Sequence, residues 1–372
     1  MNPSNSGERK PESFTQDKYP ALGRLDGEMF WVHLYPFLLE RGYQLRPRYS
    51  PDWVPSWSGI FGNMDRVEDG IYLTVRAKVI DAVRLSDGQR VVLKRTKQAS
   101  RELQILCFLN DPRRREDHRN RTIALLDTIP LPDSDGALAV LPYGREFDSP
   151  PFHCRSEFVE AMSQFLEGLE FLHENGICHG DIAPKNMLMG ESTIVPRGSH
   201  FAAPLTHGGT SGIFRWRKRC SCPANAYFFI DFDHSLQFDS PDARNTALAT
   251  GTYGRFVSNP PEASLTVPFN PFRVDVFQLG IVMQNLINNY PALEIFRPVA
   301  DDMMLADPFA RPTPAASLAH LHRAANSIPR WRAKLPIKSK GGGLWRTVQR
   351  VIFGGHFADR WSRKDAERDR DL

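Results

Sequence analysis

The stretch HGDIAPKNMLM, His179–Met189, decides the fold. It fits the pattern His-x-Asp-x-x-x-x-Asn and directly follows a segment whose apolar residues have helical spacing. The spacing between Asp181 and Asn186 lets one short loop point a carboxylate and an amide oxygen at the same phosphate groups. Phosphoryl transfer needs a carboxylate near the acceptor hydroxyl and oxygen ligands for a metal ion, and this motif supplies both.

Two further motifs flank this loop in the sequence. YFFIDFDHS, Tyr227–Ser235, is an apolar strand that ends in Asp231, a carboxylate placed to hold Mg²⁺. Upstream, VVLK ends in Lys94 on a strand that follows a hairpin turn, and Glu102 opens the next helix. A lone Lys on a strand is usually a solvated charge, and a lone Asp after a strand is usually a turn residue or a cap. The order of these residues in their predicted elements therefore carries more weight than any one of them.

Together the motifs resemble the protein kinase superfamily over about residues 66–325. The segment Asn259-Pro260-Pro261-Glu262 is similar to the end of a kinase activation segment. DVFQLG, starting at Asp275, is similar to the start of the central helix of the large lobe, where the Asp holds the catalytic-loop backbone. Arg311, in ADPFARPT, resembles the buried arginine that pairs with the glutamate, here Glu262.

A narrower resemblance rests on two other segments. RGYQLRPRYSPDWVPSW, from Arg41 to Trp57, and DSPPF, from Asp148 to Phe152, resemble the divergent kinase-like chains of mushroom-forming (basidiomycete) fungi. This narrower resemblance implies nothing about a substrate.

The resemblance implies an α+β, bilobal protein kinase-like fold, with a small β-rich N-lobe at 66–143 and a large helical C-lobe at 144–330. It also implies ATP and Mg²⁺ as cofactors. The catalytic residues would be Asp181, Lys94 and Glu102, and the metal ligands Asn186 and Asp231. The nucleotide would be bound by Lys94, Val79, Val92, Leu141, Tyr143 and Leu188.

The remaining segments of the chain have distinct compositions. Residues 1–22 are polar and are expected to be disordered. Residues 23–65 form an aromatic and Pro-rich extension, with a helix interrupted by Pro36, that is expected to pack on a neighbouring lobe. An insertion at about 190–226 separates Asn186 from Asp231, and residues 331–372 form a basic tail.

The nucleotide-binding part departs from the kinase pattern. Alignment on Val79 puts Tyr72, Thr74 and Ala77 where a Gly-rich loop has its glycines. Side chains there should keep the backbone N–H groups away from the phosphates. Val92 stands where alanine is usual above the adenine, which crowds the pocket. The sequence therefore predicts weak ATP binding.

The catalytic loop also departs from that pattern. Gly180 replaces an arginine that normally receives an activation-loop phosphate, so activation by phosphorylation is not expected. Ala183 replaces a lysine that neutralises the γ-phosphate, and Lys185 is expected to point from a different loop position. Asp233 replaces the glycine of Asp-Phe-Gly; it is expected to face solvent rather than to assist a second cation.

Composition limits the possible partners and compartment. The net charge of +4 is too small to imply nucleic-acid binding. Five scattered cysteines, an N-terminus without an apolar core and the absence of a long apolar run predict an intracellular, cytoplasmic protein. Cys220 and Cys222 with His200 and His207 suggest zinc, but their spacing matches no standard site. In the tail, residues 344–352 predict a basic amphipathic helix; membrane-surface contact is possible, but docking on the protein is favoured.

These observations favour a protein kinase that transfers the ATP γ-phosphate to Ser or Thr of an unidentified protein substrate, with weak activity. Two alternatives stay open. The missing glycine loop favours a pseudokinase that acts as a binding or scaffold protein. His-Gly-Asp and Ile-Asp-Phe-Asp are closer to small-molecule kinases of the aminoglycoside or choline type, whereas Pro-Pro-Glu, DVFQLG and DPFARPT argue against that class.

Overall fold

A computed structural model describes residues 23–57, 67–71, 78–132, 134–210, 212–239, 242–251 and 260–340. The expected disorder of 1–22, the loop positions Tyr72, Thr74 and Ala77, the start of the Asn259 segment and the tail helix at 344–352 lie outside these residues. The chain divides into two compact units, one of Met1–Ala77 with Ala82–Gln89 and one of Lys78–Asp81 with Arg90–Leu372. Among the described helices, none is long and apolar enough to cross a membrane.

The first unit is built around one helix and a strand pair. Helix α1 (Asp26–Glu40) runs through Pro36 without a break, so the predicted interruption is wrong. Proline removes one backbone donor from the helix, and burial of the face that includes Trp31 and Leu38 outweighs that loss. Strand β1 (Tyr43–Leu45) pairs antiparallel with the end of β2 (Val79–Arg84), whose last residues belong to this unit.

A buried ion pair organises the polar interior of the first unit. Arg48 and Glu28 are both fully buried and form a bidentate pair with two contacts of 2.8 Å. Nearby, Asp69 accepts hydrogen bonds from Trp53 Nε1 at 3.0 Å and from the Ser56 backbone N–H at 2.9 Å. The aromatic extension thus has partners within its own unit.

The second unit contains antiparallel sheets and a set of helices. Its strands after the shared β2 are β3 (Gln89–Lys97), β4 (Asp127–Pro130), β5 (Gly136–Pro142), β6 (Gly144–Glu146), β7 (Ile177–Cys178), β8 (Met187–Gly190), β9 (Tyr227–Phe229) and β10 (Leu236–Gln237). Its helices are α2 (Arg101–Leu109), α3 (Pro112–Arg115), α4 (Arg155–Glu174), α5 (Ala243–Thr246), α6 (Pro271–Asn289), α7 (Arg297–Met303), α8 (Pro314–Asn326) and α9 (Arg330–Ala333). The chain is therefore an α+β protein.

The strand order differs from the order of the strands in the sequence in the five-stranded sheet, and the three-stranded sheet contains β6, β8 and β9 without β7. Strand β5 lies between β3 and β4, and β8 lies between β6 and β9, with all these pairs antiparallel. In the β3–β5 register Lys94 is opposite Ala139. Ser100 caps α2, because its hydroxyl accepts a hydrogen bond from the Leu103 N–H at 3.2 Å, and Glu102 falls in the first turn.

The helices pack around a large apolar core. Helix α4 contributes a buried face at helical spacing, including Phe158, Phe165 and Leu169, as predicted. Gly280 of α6 lets that helix approach the end of α7, since a Cβ there would lie only 2.8 Å from Met304 Cγ.

The insertion at 190–226 has little regular structure but is held by specific contacts. Glu191 is its main anchor: it contacts Arg90 at 3.3 Å and Arg145 at 3.2 Å and accepts the Ser199 N–H at 3.0 Å. The Ser199 hydroxyl is also 3.0 Å from the Tyr143 hydroxyl. The described part of the insertion is therefore fixed at the chain segment that follows β5.

Candidate active site

The loop of the HGDIAPKN motif is built around a neutral histidine. His179 Nε2 lies 3.0 Å from the Ile230 carbonyl oxygen, so it donates. Nδ1 accepts the Asp181 backbone N–H at 3.2 Å. Burial lowers the pKa of His179 below its ordinary value, against the attraction of nearby carboxylates. The ring thus serves as a fixed spacer between the loop and the segment that precedes Asp231.

Helix α6 holds the same loop from the other side. Fully buried Asp275 accepts the backbone N–H groups of His179 and Gly180, both at 2.8 Å, as its resemblance to the kinase helix implied. One turn further, Gln278 accepts the Ile182 N–H at 2.9 Å. Gln278 was not singled out from the sequence, although its i+3 spacing from Asp275 puts both on one helix face.

Asp181 and Asn186 are joined as their spacing predicted. Asn186 Nδ2 donates to the Asp181 backbone oxygen at 2.8 Å and to its Oδ2 at 2.9 Å, which leaves the amide oxygen as the ligand atom. Among the described residues Asp181 Oδ1 has no hydrogen-bond partner, although it is buried. A buried carboxylate oxygen without a hydrogen-bond partner lowers the stability of the fold unless a group of a bound ligand donates a hydrogen bond to it.

Lys185 contributes to the site more directly than its position suggested. Its Nζ lies 3.3 Å from Asp181 Oδ2, although it extends from a different loop position than the lysine that Ala183 replaces. The two residues are i,i+4 across the short helical turn Pro184–Asn186, a spacing that allows the contact. A positive charge is thus present beside the carboxylate although position 183 is alanine.

Lys94 lies among three carboxylates. Its Nζ is 2.5 Å from Glu102 Oε1, 2.7 Å from Asp231 Oδ1 and 3.6 Å from Asp233 Oδ2. The ion pair with Glu102 was predicted from the strand and helix positions. Asp233 is half-exposed, but it faces the ammonium as well as solvent, which corrects the expectation that it only faces solvent. One lysine cannot balance three carboxylates, so the cluster has an excess of negative charge suited to a divalent cation.

The pKa shifts follow from this charge excess. Burial opposes the charged form of Lys94, but Glu102, Asp231 and Asp233 together raise its pKa above the ordinary value. Burial also opposes ionisation of Asp231, yet Lys94 lowers its pKa below the usual range. For Glu102, burial and the neighbouring Asp233 raise the pKa in spite of Lys94. Glu102 therefore keeps its proton to a higher pH than an isolated glutamate does, while Asp231 stays ionised.

Asp231 has an unusual backbone conformation. Its φ is +68°, and it is the one described non-glycine residue with a positive φ. Such a conformation is strained for most side chains and is tolerated best by Gly, Asn and Asp. It directs the carboxylate toward Lys94 at the end of β9.

Three of the apolar residues expected to bind a nucleotide lie on neighbouring strands of one sheet, whereas Leu188 lies on β8 in a second sheet. Val92 and Leu141 are direct cross-strand partners in β3 and β5. Leu188 approaches Gly144, where a Cβ would lie 3.2 Å from its Cδ1. Tyr143 directly follows β5, and Val79 begins β2 next to β3.

Away from these groups, Glu262 and Arg311 form the predicted buried ion pair. The guanidinium binds both carboxylate oxygens, at 2.5 and 2.9 Å, and its side chain is fully buried. It also donates to the carbonyls of Leu305 and Arg273. The pair therefore links the segment after residue 260 to the chain between α7 and α8.

The histidines and cysteines suggested as a zinc set do not come together. His207 bonds the Gly198 carbonyl through Nδ1 at 2.6 Å and accepts the Arg215 N–H through Nε2 at 3.1 Å. Cys222 Sγ faces the backbone carbonyl of Lys218 at 3.4 Å. These contacts within the insertion satisfy both side chains without a metal.

The described residues form an α+β fold in which one loop carries Asp181, Lys185 and Asn186, in this order. No protein-family model matches the chain. Among curated proteins it is similar to the serine/threonine-protein kinase HAL4/SAT4 of Saccharomyces cerevisiae, with 26% identity over 156 residues. The match covers 41% of this chain, and the chain spans about a fifth of the length of that relative, 19%. This similarity supports a protein kinase-like relationship.

Proposed function

We propose that this chain is a bilobal protein kinase domain that transfers the γ-phosphoryl group of ATP to Ser or Thr of a protein substrate. The orphaned Asp181 Oδ1 carries the proposal. Asn186 fixes the other carboxylate oxygen, so the free one is the atom that can accept the proton of a substrate hydroxyl. Lys185, next to it, would offset negative charge that develops near the acceptor.

ATP and Mg²⁺ are part of the same proposal. The Asn186 amide oxygen and the Asp231 carboxylate are hard oxygen ligands of the kind Mg²⁺ takes. When bound, Mg²⁺ neutralises charge on the β- and γ-phosphates. Lys94, held by Glu102, would orient the α- and β-phosphates, with Val79, Val92, Leu141, Tyr143 and Leu188 around the base. The excess negative charge around Lys94 supports a cation site.

Transfer of labelled phosphate to a generic Ser/Thr protein substrate tests the proposal. Asp181→Asn should lower the transfer rate about 10²–10⁴-fold and leave nucleotide binding intact, because it removes the proton acceptor but keeps the shape. Asp135→Asn, at an exposed carboxylate that pairs with Lys97, is the matched control and should transfer like wild type. Equal rates in wild type and Asp181→Asn would contradict the assignment.

The second candidate is a pseudokinase that serves as a binding protein. The direct Lys94–Asp231 contact at 2.7 Å favours it, since a nucleotide and its metal must compete with this ion pair. A thermal-shift titration with ATP, with and without Mg²⁺, separates the two functions. If neither addition raises the melting temperature of the wild type, the binding-protein function replaces the enzyme.

The remaining assignments belong to the same proposal. A small-molecule kinase is less well supported, because the Glu262–Arg311 and Asp275 contacts occur in the segments that resemble protein kinases. An intracellular setting and no nucleic-acid partner are proposed from composition, and a protein substrate is proposed from the resemblance to protein kinases. The narrower fungal resemblance is kept as a proposal that adds no substrate.

A further inference from the structure

A second cluster of ligating side chains lies at the start of α4. It consists of His153, Cys154, Glu157 and Cys220, whose ligand atoms all lie within 4.8 Å of one another. Cys154 and Glu157 are buried, His153 is partly buried and Cys220 is exposed, so the cluster runs from the interior to the surface. A cavity of about 390 Å³ lined by His153 and Glu157 opens beside it and gives an ion access.

The geometry is close to that of tetrahedral zinc. With Zn–S and Zn–N bonds of about 2.3 and 2.0–2.1 Å, tetrahedral angles separate a sulfur and a nitrogen ligand by about 3.6 Å. The Cys220 Sγ to His153 Nδ1 distance is 3.6 Å. The four ligand atoms all lie within 4.8 Å of one another, compared with an edge of about 3.8 Å between two thiolates in a tetrahedral zinc site, so metal binding would draw the side chains closer together.

Glu157 holds the backbone of two ligand residues in position. Its Oε2 accepts the His153 N–H at 2.6 Å, and its Oε1 accepts the Cys220 N–H at 2.9 Å. A carboxylate oxygen has two lone pairs, so either oxygen can accept an amide and still bind a metal. One buried side chain thus fixes two segments that are 67 residues apart in the sequence.

We propose that His153, Cys154, Glu157 and Cys220 bind one zinc ion that fastens the insertion to the base of α4. Nitrogen and thiolate ligands select Zn²⁺ over Mg²⁺, and four protein ligands make the site structural. On binding, the two thiols lose their protons to solvent and bond the metal as thiolates, with no change in oxidation state. The site is separate from the carboxylate cluster at Lys94, and it shares only Cys220 with the zinc set that the sequence suggested.

Cobalt substitution in the full-length chain tests the site. The reduced, chelator-treated protein is titrated with Co²⁺, then with Zn²⁺. The expected result is one equivalent of cobalt with thiolate charge-transfer absorption and the visible bands of tetrahedral Co²⁺, displaced by zinc. Cys220→Ser should weaken cobalt binding at least about 100-fold. Cys222→Ser, two residues away and bonded to backbone carbonyls, is the matched control and should bind like wild type.

Two further measurements keep the result decisive. If Cys220→Ser does not fold, His153→Gln replaces it and should lose the same affinity while circular dichroism stays that of wild type. Zinc bound to the protein as purified should be about one per chain and should fall in the same variants. The proposal is overturned if wild type gives no tetrahedral cobalt spectrum, or if Cys222→Ser loses binding as Cys220→Ser does. It is also overturned if Cys154 and Cys220 form a disulfide and the reduced chain takes up no cobalt.

Discussion

Asp233 adds a negative charge to the candidate site, at a position where the resemblance to protein kinases implied a glycine. It shares Lys94 with Glu102 and Asp231, and its charge adds to burial in raising the pKa of Glu102. The raised pKa of Glu102, about 7, means that the folded chain binds a proton where the unfolded chain, near 4.5, has lost it. The stability that results is complete below the unfolded value and is lost as the pH rises through about 7.

Replacing Asp233 should therefore flatten the pH dependence of stability. In Asp233→Asn, the free energy of unfolding without nucleotide should fall less between pH 5 and 8 than in wild type, by on the order of 1 kcal/mol. Urea denaturation across this pH range measures the difference. Asp135→Asn, at an exposed acid, should follow the wild-type curve. Parallel curves for Asp233→Asn and wild type would show that the cluster holds no extra proton.

At Gly144, the addition of a single carbon atom should affect both the stability of the fold and nucleotide binding. A Cβ there would lie 2.8 Å from the Phe228 ring and 3.2 Å from Leu188 Cδ1, so Gly144→Ala must displace the Phe228 ring and crowd Leu188. We expect a loss of about 1–3 kcal/mol in stability and weaker nucleotide binding. Gly208→Ala is the matched control, because nothing lies within 4 Å of its Cβ. Thermal melts with and without ATP and Mg²⁺ measure both effects, and equal melts for the two variants would contradict the packing argument.

At the scale of elements, one ion pair connects distant segments of the second unit. Arg311→Ala should destabilise the chain by about 3–5 kcal/mol, because Glu262 and two backbone carbonyls lose a buried partner. Chemical denaturation measures this loss. Arg297→Ala removes an exposed pair with Glu294 and should leave the midpoint nearly unchanged. If both variants had the same denaturation midpoint, the Glu262–Arg311 ion pair would not stabilise the fold.

The sequence predicted the elements whose signals are local. Helix α2 has a serine cap, α4 has regular apolar spacing, and the turn between β2 and β3 has its glycine. The continuous α1 was missed because the effect of Pro36 is local, whereas the burial that outweighs it comes from residues elsewhere in the unit. The direct contact of Lys185 with Asp181 was not predicted either, because it depends on how the Asp181 side chain is held.

At the scale of the whole molecule, the sequence indicated the order of the site residues but not the contacts that hold the insertion. Asp181 and Asn186 have a fixed spacing within one motif, so their proximity followed from the pattern, whereas Asp231 was assigned from its own motif after the insertion. Glu191 and Glu157 reach partners 46 and 63 residues away, and no spacing rule marks such pairs. Clusters formed by long-range folding, such as that of His153 and Cys220, need coordinates to be found.

The first unit should depend on its buried ion pair. Arg48→Met leaves Glu28 buried without its partner and should destabilise this unit by about 3–5 kcal/mol. Faster amide hydrogen exchange in α1 measures the effect. The double variant Glu28→Gln with Arg48→Met should recover part of the loss, since no uncompensated charge is left. Equal exchange in the single variant and wild type would rule out the pair as the organiser of this unit.

The left-handed backbone at Asp231 has an evolutionary consequence. At φ +68° the accessible replacements are Asn and Gly, whereas β-branched residues are excluded by sterics whatever their effect on chemistry. Gene copies released from selection for catalysis should therefore drift at this codon to Asn or Gly first. Conservation of a small set of residues there would then record the shape of the turn after β9 and would not be proof of retained activity.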